Sequence, residues 1–202
     1  MVDAKPTFSV VIPTVGRTTL VHALKSVAAQ LEPGDEIFVL CNDAGDHGDS
    51  ARNSGVARAA ASHLIFLDDD DAYVTGALAT MRRFAAENPG RIGIFRMELW
   101  NGALIWTEPE LRYGNVGSPM FVVPNVPGKL GRWDQSRLAN DWAFIEETVS
   151  LQGEPIFRDE VVARIRMNGT FANRLEELKF RLRVRTRLRR AVANVRAPVR
   201  KS

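Results

Sequence analysis

Four consecutive aspartates, Asp68 to Asp71, follow the apolar run Leu64-Ile65-Phe66-Leu67. Four carboxylates at the mouth of a strand repel one another in a partly dry setting, so they need solvent, protons or a cation. Ligation by oxygen alone suits Mg²⁺ or Mn²⁺. The plainer alternative is a solvated acidic turn that also caps the next helix. The histidines His22, His47 and His63 show no metal-ligand spacing, and the single cysteine Cys41 allows no internal disulfide.

The surrounding pattern says what must position the tetrad. Phe8 to Ile12 reads as a strand ended by Pro13. A helix follows, capped by Thr18 or Thr19, with Leu20, Ala23, Leu24, Val27 and Leu31 at helical spacing. Pro33-Gly34-Asp35 turns the chain into a second strand, Glu36 to Leu40, followed by a polar loop, Cys41 to Ser50. A helix over 51–62, a third strand over 64–67 and a helix over 75–88 complete an alternating series, which predicts an α/β fold with a mostly parallel central sheet. In such sheets ligands bind beyond the carboxyl ends of the strands. The loops 13–17, 41–50 and 68–73 therefore converge on one crevice that contains the tetrad.

The second half changes style. Ile92 to Trp100 and Ala103 to Trp106, joined by Asn101-Gly102, predict a β-hairpin. Met120 to Val123 reads as a strand and 140–151 as a helix with Trp142, Ile145, Thr148 and Val149 on its apolar face. Pro155 to Phe157 and Val161 to Ile165 are two short strand candidates.

The 202 residues, 45% hydrophobic and 25% charged, suit one globular domain. The net charge of +3 hides a division: residues 174–202 carry nine Arg and two Lys against Glu176 and Glu177, a sum of +9, leaving −6 on the rest. An acidic body with a basic tail argues against reading the whole chain as a nucleic-acid binder. Within the tail, Phe180, Val184, Leu188, Ala191 and Val195 recur at helical spacing among arginines, which predicts a basic amphipathic C-terminal helix able to meet an anionic membrane surface or to self-associate. With no export signal and no apolar run of about 20 residues, the expected location is cytoplasmic, with a peripheral position on the inner face of a membrane as the alternative.

The order of motifs resembles the family 2 glycosyltransferases of the Rossmann-like GT-A fold. The matching pieces are Ser9-Val10-Val11-Ile12-Pro13-Thr14 with Arg17, Ala51-Arg52-Asn53-Ser54-Gly55, Phe66-Leu67 with the tetrad, and Gly131-Arg132-Trp133-Asp134 followed by Asn140-Asp141-Trp142. The resemblance implies a glycosyltransferase domain over 1–173, with 174–202 as a tail outside it. It implies transfer of a sugar from a nucleoside diphosphate, of UDP or GDP type, to a hydroxyl acceptor such as a glycan, a lipid-linked carrier, a protein or a modified base.

The same resemblance distributes roles. Pro13, Thr14 and Arg17 line the base and diphosphate pocket, with Asn42 or Asp43 binding the base. Arg52 and Asn53 lie near the diphosphate sugar, Asp68 and Asp69 are on the donor side, and Asp70 and Asp71 hold Mn²⁺ or Mg²⁺. Register within four identical residues stays open. Asp141 is the base that takes the acceptor's proton in an inverting transfer, with Glu146 and Asp134 in reserve. The chain lacks the late histidine of many relatives, and Arg164, Arg166 or Asn168 stand in as phosphate contacts. Two other classes remain: a non-catalytic nucleotide-sugar or surface-binding module, and an aspartate-based phosphotransferase, which Ala72 and the tetrad's place on the third strand disfavour.

Overall fold

The computed structural model describes residues 5–41, 45–134 and 140–165. The chain divides into two units, Met1–Arg166 and Met167–Ser202. The second unit, with the expected basic tail, lies outside the described residues.

Strand β1 (Phe8–Thr14) is buried along its whole length and pairs in parallel with β2 (Glu36–Cys41) and β3 (His63–Phe66). Helices α1 (Leu20–Ala28), α2 (Asp49–Arg58) and α3 (Ala77–Glu87) follow these strands in turn, as the alternating pattern predicts. β1 runs two residues further than expected and takes Pro13 and Thr14 into the sheet.

The remaining strands make the sheet mixed. They are β4 (Ala72–Tyr73), β5 (Gly93–Glu98), β6 (Leu104–Ile105), β7 (Phe121–Pro124) and β8 (Ile156–Arg164). The order is β2-β1-β3-β7-β5-β8-β4, with β6 on β5. β7 runs antiparallel to both β3 and β5, whereas β5 and β8 are parallel. The expected hairpin is β5–β6, with Glu98 facing Leu104. The two short strand candidates near the end are one strand: register shifts near Arg96 let β8 carry the polar run Arg158-Asp159-Glu160 without leaving the sheet.

Helix α4 (Asn140–Gln152) packs Phe144, Ile145 and Thr148 into the core. Phe144 stacks on Trp133 at 4.7 Å, and both meet Phe66 edge-on. Gly131 permits this approach. A Cβ there would lie 2.2 Å from the Phe144 carbonyl oxygen, while the Gly131 N–H donates to Thr148 Oγ1 at 2.9 Å. Gly131→Ala must push α4 from the 131–134 segment, with an expected cost of about 1–3 kcal/mol in urea denaturation.

A buried ion pair ties the first half together. Arg82 on α3 donates to Asp35 at 2.7 and 3.1 Å and lies over the Phe8 ring. Asp35, whose side chain has no exposed surface, also accepts the N–H groups of Phe8 and Glu32. Burial alone would raise the Asp35 carboxyl, but Arg82 and these N–H groups outweigh it and hold it below its ordinary value.

Candidate functional site

The carboxyl ends of β1 and β3 lie on one edge of the sheet because the strands are parallel. β5 ends on that same edge, since both β3 and β5 are antiparallel to β7. The turn Ser118–Met120, which opens β7, is there too. This edge gathers the tetrad, Arg17, Arg52 and Asp141.

Within the tetrad the four acids have different surroundings. Asp69 is buried and turned toward β1: it accepts from Thr14 Oγ1 at 2.6 Å, Val15 N–H at 3.3 Å and Arg17 Nη1 at 2.7 Å. Its carboxylate therefore shapes the loop after β1. Asp68, Asp70 and Asp71 each offer an oxygen within 4.8 Å of the others. Asp70 is held above its ordinary value, first by burial and then by Asp68 and Asp69, with Arg17 at 3.4 Å opposing. A set of three carboxylate oxygens under mutual repulsion fits a hard divalent cation.

Arg52 is the cationic centre of the edge. It donates to Asp68 and to the His47 carbonyl, and its guanidinium lies 4.6 Å from the centre of the Trp133 ring. The charges of Asp68, Asp141 and Asp49 together outweigh the cost of its burial and raise its pKa further. Gly48, at φ +96°, makes room for it, because a Cβ would stand 2.7 Å from Arg52 Nη1 and 3.0 Å from Pro13. Asn53 does different work from its neighbour. Its amide pairs with the Trp133 backbone, donating to the carbonyl at 2.8 Å and accepting the N–H at 3.1 Å.

Asp141 opens α4 with Oδ2 accepting the Ser118 N–H at 3.1 Å. Burial pushes its carboxyl up to about 6; Arg52 opposes, Asp68 and Asp49 add to the rise, and the Ser118 N–H opposes it. Glu146 sits five residues on, about 140° round the helix. Among the other sequence candidates, Arg164 donates to Glu98 at 2.7 Å, and Asn42, Asp43, Arg166 and Asn168 lie outside the described residues. Sequence reasoning missed Asp49, a buried acid whose charge acts on both Arg52 and Asp141. The sequence placed it in the loop 41–50 with the helix expected over 51–62, whereas α2 starts at Asp49 itself.

Solved structures of S. aureus TarS resemble this fold. One has 17% sequence identity and a TM-score of 0.65, covering 80% of this chain and 37% of that chain. TarS 1-349 in complex with UDP-GlcNAc gives 16% and 0.62 over 81% of this chain, and the complex with UDP gives 16% and 0.59 over 78%. The fold is that of a glycosyltransferase-like Rossmann domain. The chain spans 37% to 60% of the length of these relatives. No protein-family model matches it, and no curated protein does.

Proposed function

We propose that this chain is an inverting, divalent-cation-dependent glycosyltransferase of the GT-A type, in family 2, using a uridine diphosphate sugar. The observation that carries this reading is the sharing of Arg52 between Asp68, at the acidic cluster, and Asp141, at the start of α4. A candidate donor-side acid and a candidate acceptor-side base thus face one crevice. The two TarS complexes, with UDP and with UDP-GlcNAc, support the choice of nucleotide.

In this reading Asp70 and Asp71, joined by Asp68, would hold Mn²⁺ or Mg²⁺, which supplies positive charge facing the donor diphosphate. Arg17 and the polar backbone after β1 bind the nucleotide side, in a geometry set by Asp69. Asp141 takes the proton of the acceptor hydroxyl. The acceptor oxygen then bonds to the anomeric carbon as that carbon's bond to the diphosphate breaks, and the electron pair leaves with the diphosphate. The charge of Arg52 acts on both Asp141 and Asp68 and so offsets the repulsion between the two acids.

The test is a thermal-shift panel of UDP, GDP, ADP and CDP with and without Mn²⁺. A Mn²⁺-dependent rise with UDP is expected, reaching about 2.7 kcal/mol of stabilisation when ligand is near 100 Kd. A flat response to every nucleotide, with and without metal, defeats the reading.

A further inference from the structure

Two loops that follow elements at the edge of the candidate base expose large aromatic rings. At the hairpin tip, the Leu99 N–H donates to the Ala103 carbonyl and the Gly102 N–H to the Leu99 carbonyl, leaving Trp100 61% exposed. The second loop, 107–117, carries Tyr113 at 56% exposed. This loop folds back on the buried side chain of Asn115, which accepts the Thr107 N–H at 3.3 Å and donates to the carbonyls of Glu108 and Glu110 at 2.9 and 2.7 Å.

The second loop ends at Gly117, which the side chain of Met97 on β5 reaches. A Cβ built there would stand 3.0 Å from Met97 Cε and 3.7 Å from Asp141 Oδ2, so the end of β5, the end of the loop and the carboxylate meet at one point. Trp100 is three residues from Met97 and Tyr113 four from Gly117, separations of at most about 14 Å of chain. Ser118, the next residue, holds Asp141 by its N–H.

We propose that Trp100 and Tyr113 form a platform for a saccharide acceptor, stacking on the apolar face of its pyranose ring and presenting a hydroxyl to Asp141. The proposal rests on the transferase reading above and names its acceptor class. Each of these exposed rings offers an apolar face with a polar edge. The exposed Glu108, Glu110 and Arg112 on the same loop give the platform a charged rim. A sugar, with a C–H face and a rim of hydroxyls, matches such a surface; an acyl chain would meet the carboxylates without compensation. The hydroxyl loses its proton to Asp141 as its oxygen bonds to the donor's anomeric carbon and the diphosphate departs with the electron pair.

The test compares wild type with Trp100→Ala, Tyr113→Ala, the double variant and Trp100→Phe. Transfer from UDP-sugars is measured to methyl pyranosides and disaccharides, with a serine peptide and dodecanol as the other acceptor classes. Saccharides should be the acceptors used. Their KM should rise about tenfold or more in the double variant with kcat little changed, Trp100→Phe should recover most of the loss, and the UDP–Mn²⁺ thermal shift should stay at the wild-type value. An unchanged saccharide KM, or a preference for peptide or dodecanol, overturns the platform. If wild type neither responds to UDP nor transfers, the donor reading has failed, and tryptophan fluorescence then decides the platform alone. Quenching by disaccharides that disappears in Trp100→Ala supports it, and no quenching overturns it.

Discussion

Asp141→Asn should lower sugar transfer by about 10²- to 10⁴-fold, the usual contribution of a positioned general base, and leave the UDP–Mn²⁺ thermal shift intact. Asparagine keeps the size of the side chain and can still accept the Ser118 N–H through its oxygen. What it loses is the capacity to take a proton. The pH profile sharpens the test: a base must be deprotonated, so wild-type kcat/KM should fall as pH drops through about 6, the value to which burial pushes Asp141. The residual activity of the variant should lack that limb.

Stability moves in the opposite sense. A carboxyl whose folded pKa is raised from 3.8 to about 6 binds protons more tightly when folded, so its contribution is fully present below 3.8 and is lost as pH rises through 6. Above pH 6 the charged Asp141 is a cost that asparagine removes. The variant should therefore melt no lower than wild type at pH 7.5. Wild-type turnover by Asp141→Asn would move the base to Glu146 or Asp134.

Arg82→Ala should destabilise the fold by about 3–5 kcal/mol, because removing one partner leaves a buried charge uncompensated. Asp35 would keep the N–H groups of Phe8 and Glu32 but lose both guanidinium bonds. The loss of packing over Phe8 adds to this. Urea denaturation should show a lower midpoint at unchanged slope. Combining Arg82→Met with Asp35→Asn should recover much of the loss, since the stranded charge is then gone. Asp35 is depressed below 3.8 in the fold, so its contribution is present above pH 3.8 and disappears as pH falls further. The single variant should lose most of that acid-limb dependence.

How far each part could be read from the chain follows from the range of the forces involved. β1, α1, β2, β3 and α3 were legible because short apolar runs and period-3.6 patterns, with Pro33-Gly34 as punctuation, act within a few residues, whereas α2, expected over 51–62, runs over Asp49–Arg58. The Asn101-Gly102 hairpin was legible for the same reason. β4 was not, since two residues carry no period, and neither was the unity of β8, whose central Arg158-Asp159-Glu160 reads as a break until pairing with β5 lets β8 bulge there and stay in the sheet. The mixed sheet escaped because β7 enters between β3 and β5, a choice of neighbour that no local pattern encodes.

For the site, the amino-acid sequence alone determined that four carboxylates stand beyond a buried strand and that an aspartate opens the fourth helix, because strand ends and helix starts are local events. Only the tertiary structure decided that Asp69 turns inward to Thr14 while Asp68, Asp70 and Asp71 share another space. It also decided that Arg52 joins Asp68 to Asp141 and Asp49, and that Asn53 clamps Trp133 from 80 residues away. Identical residues in one run have identical local propensities. Their division of labour comes from the strands and helices packed around them, at distances in sequence over which periodicity carries no information.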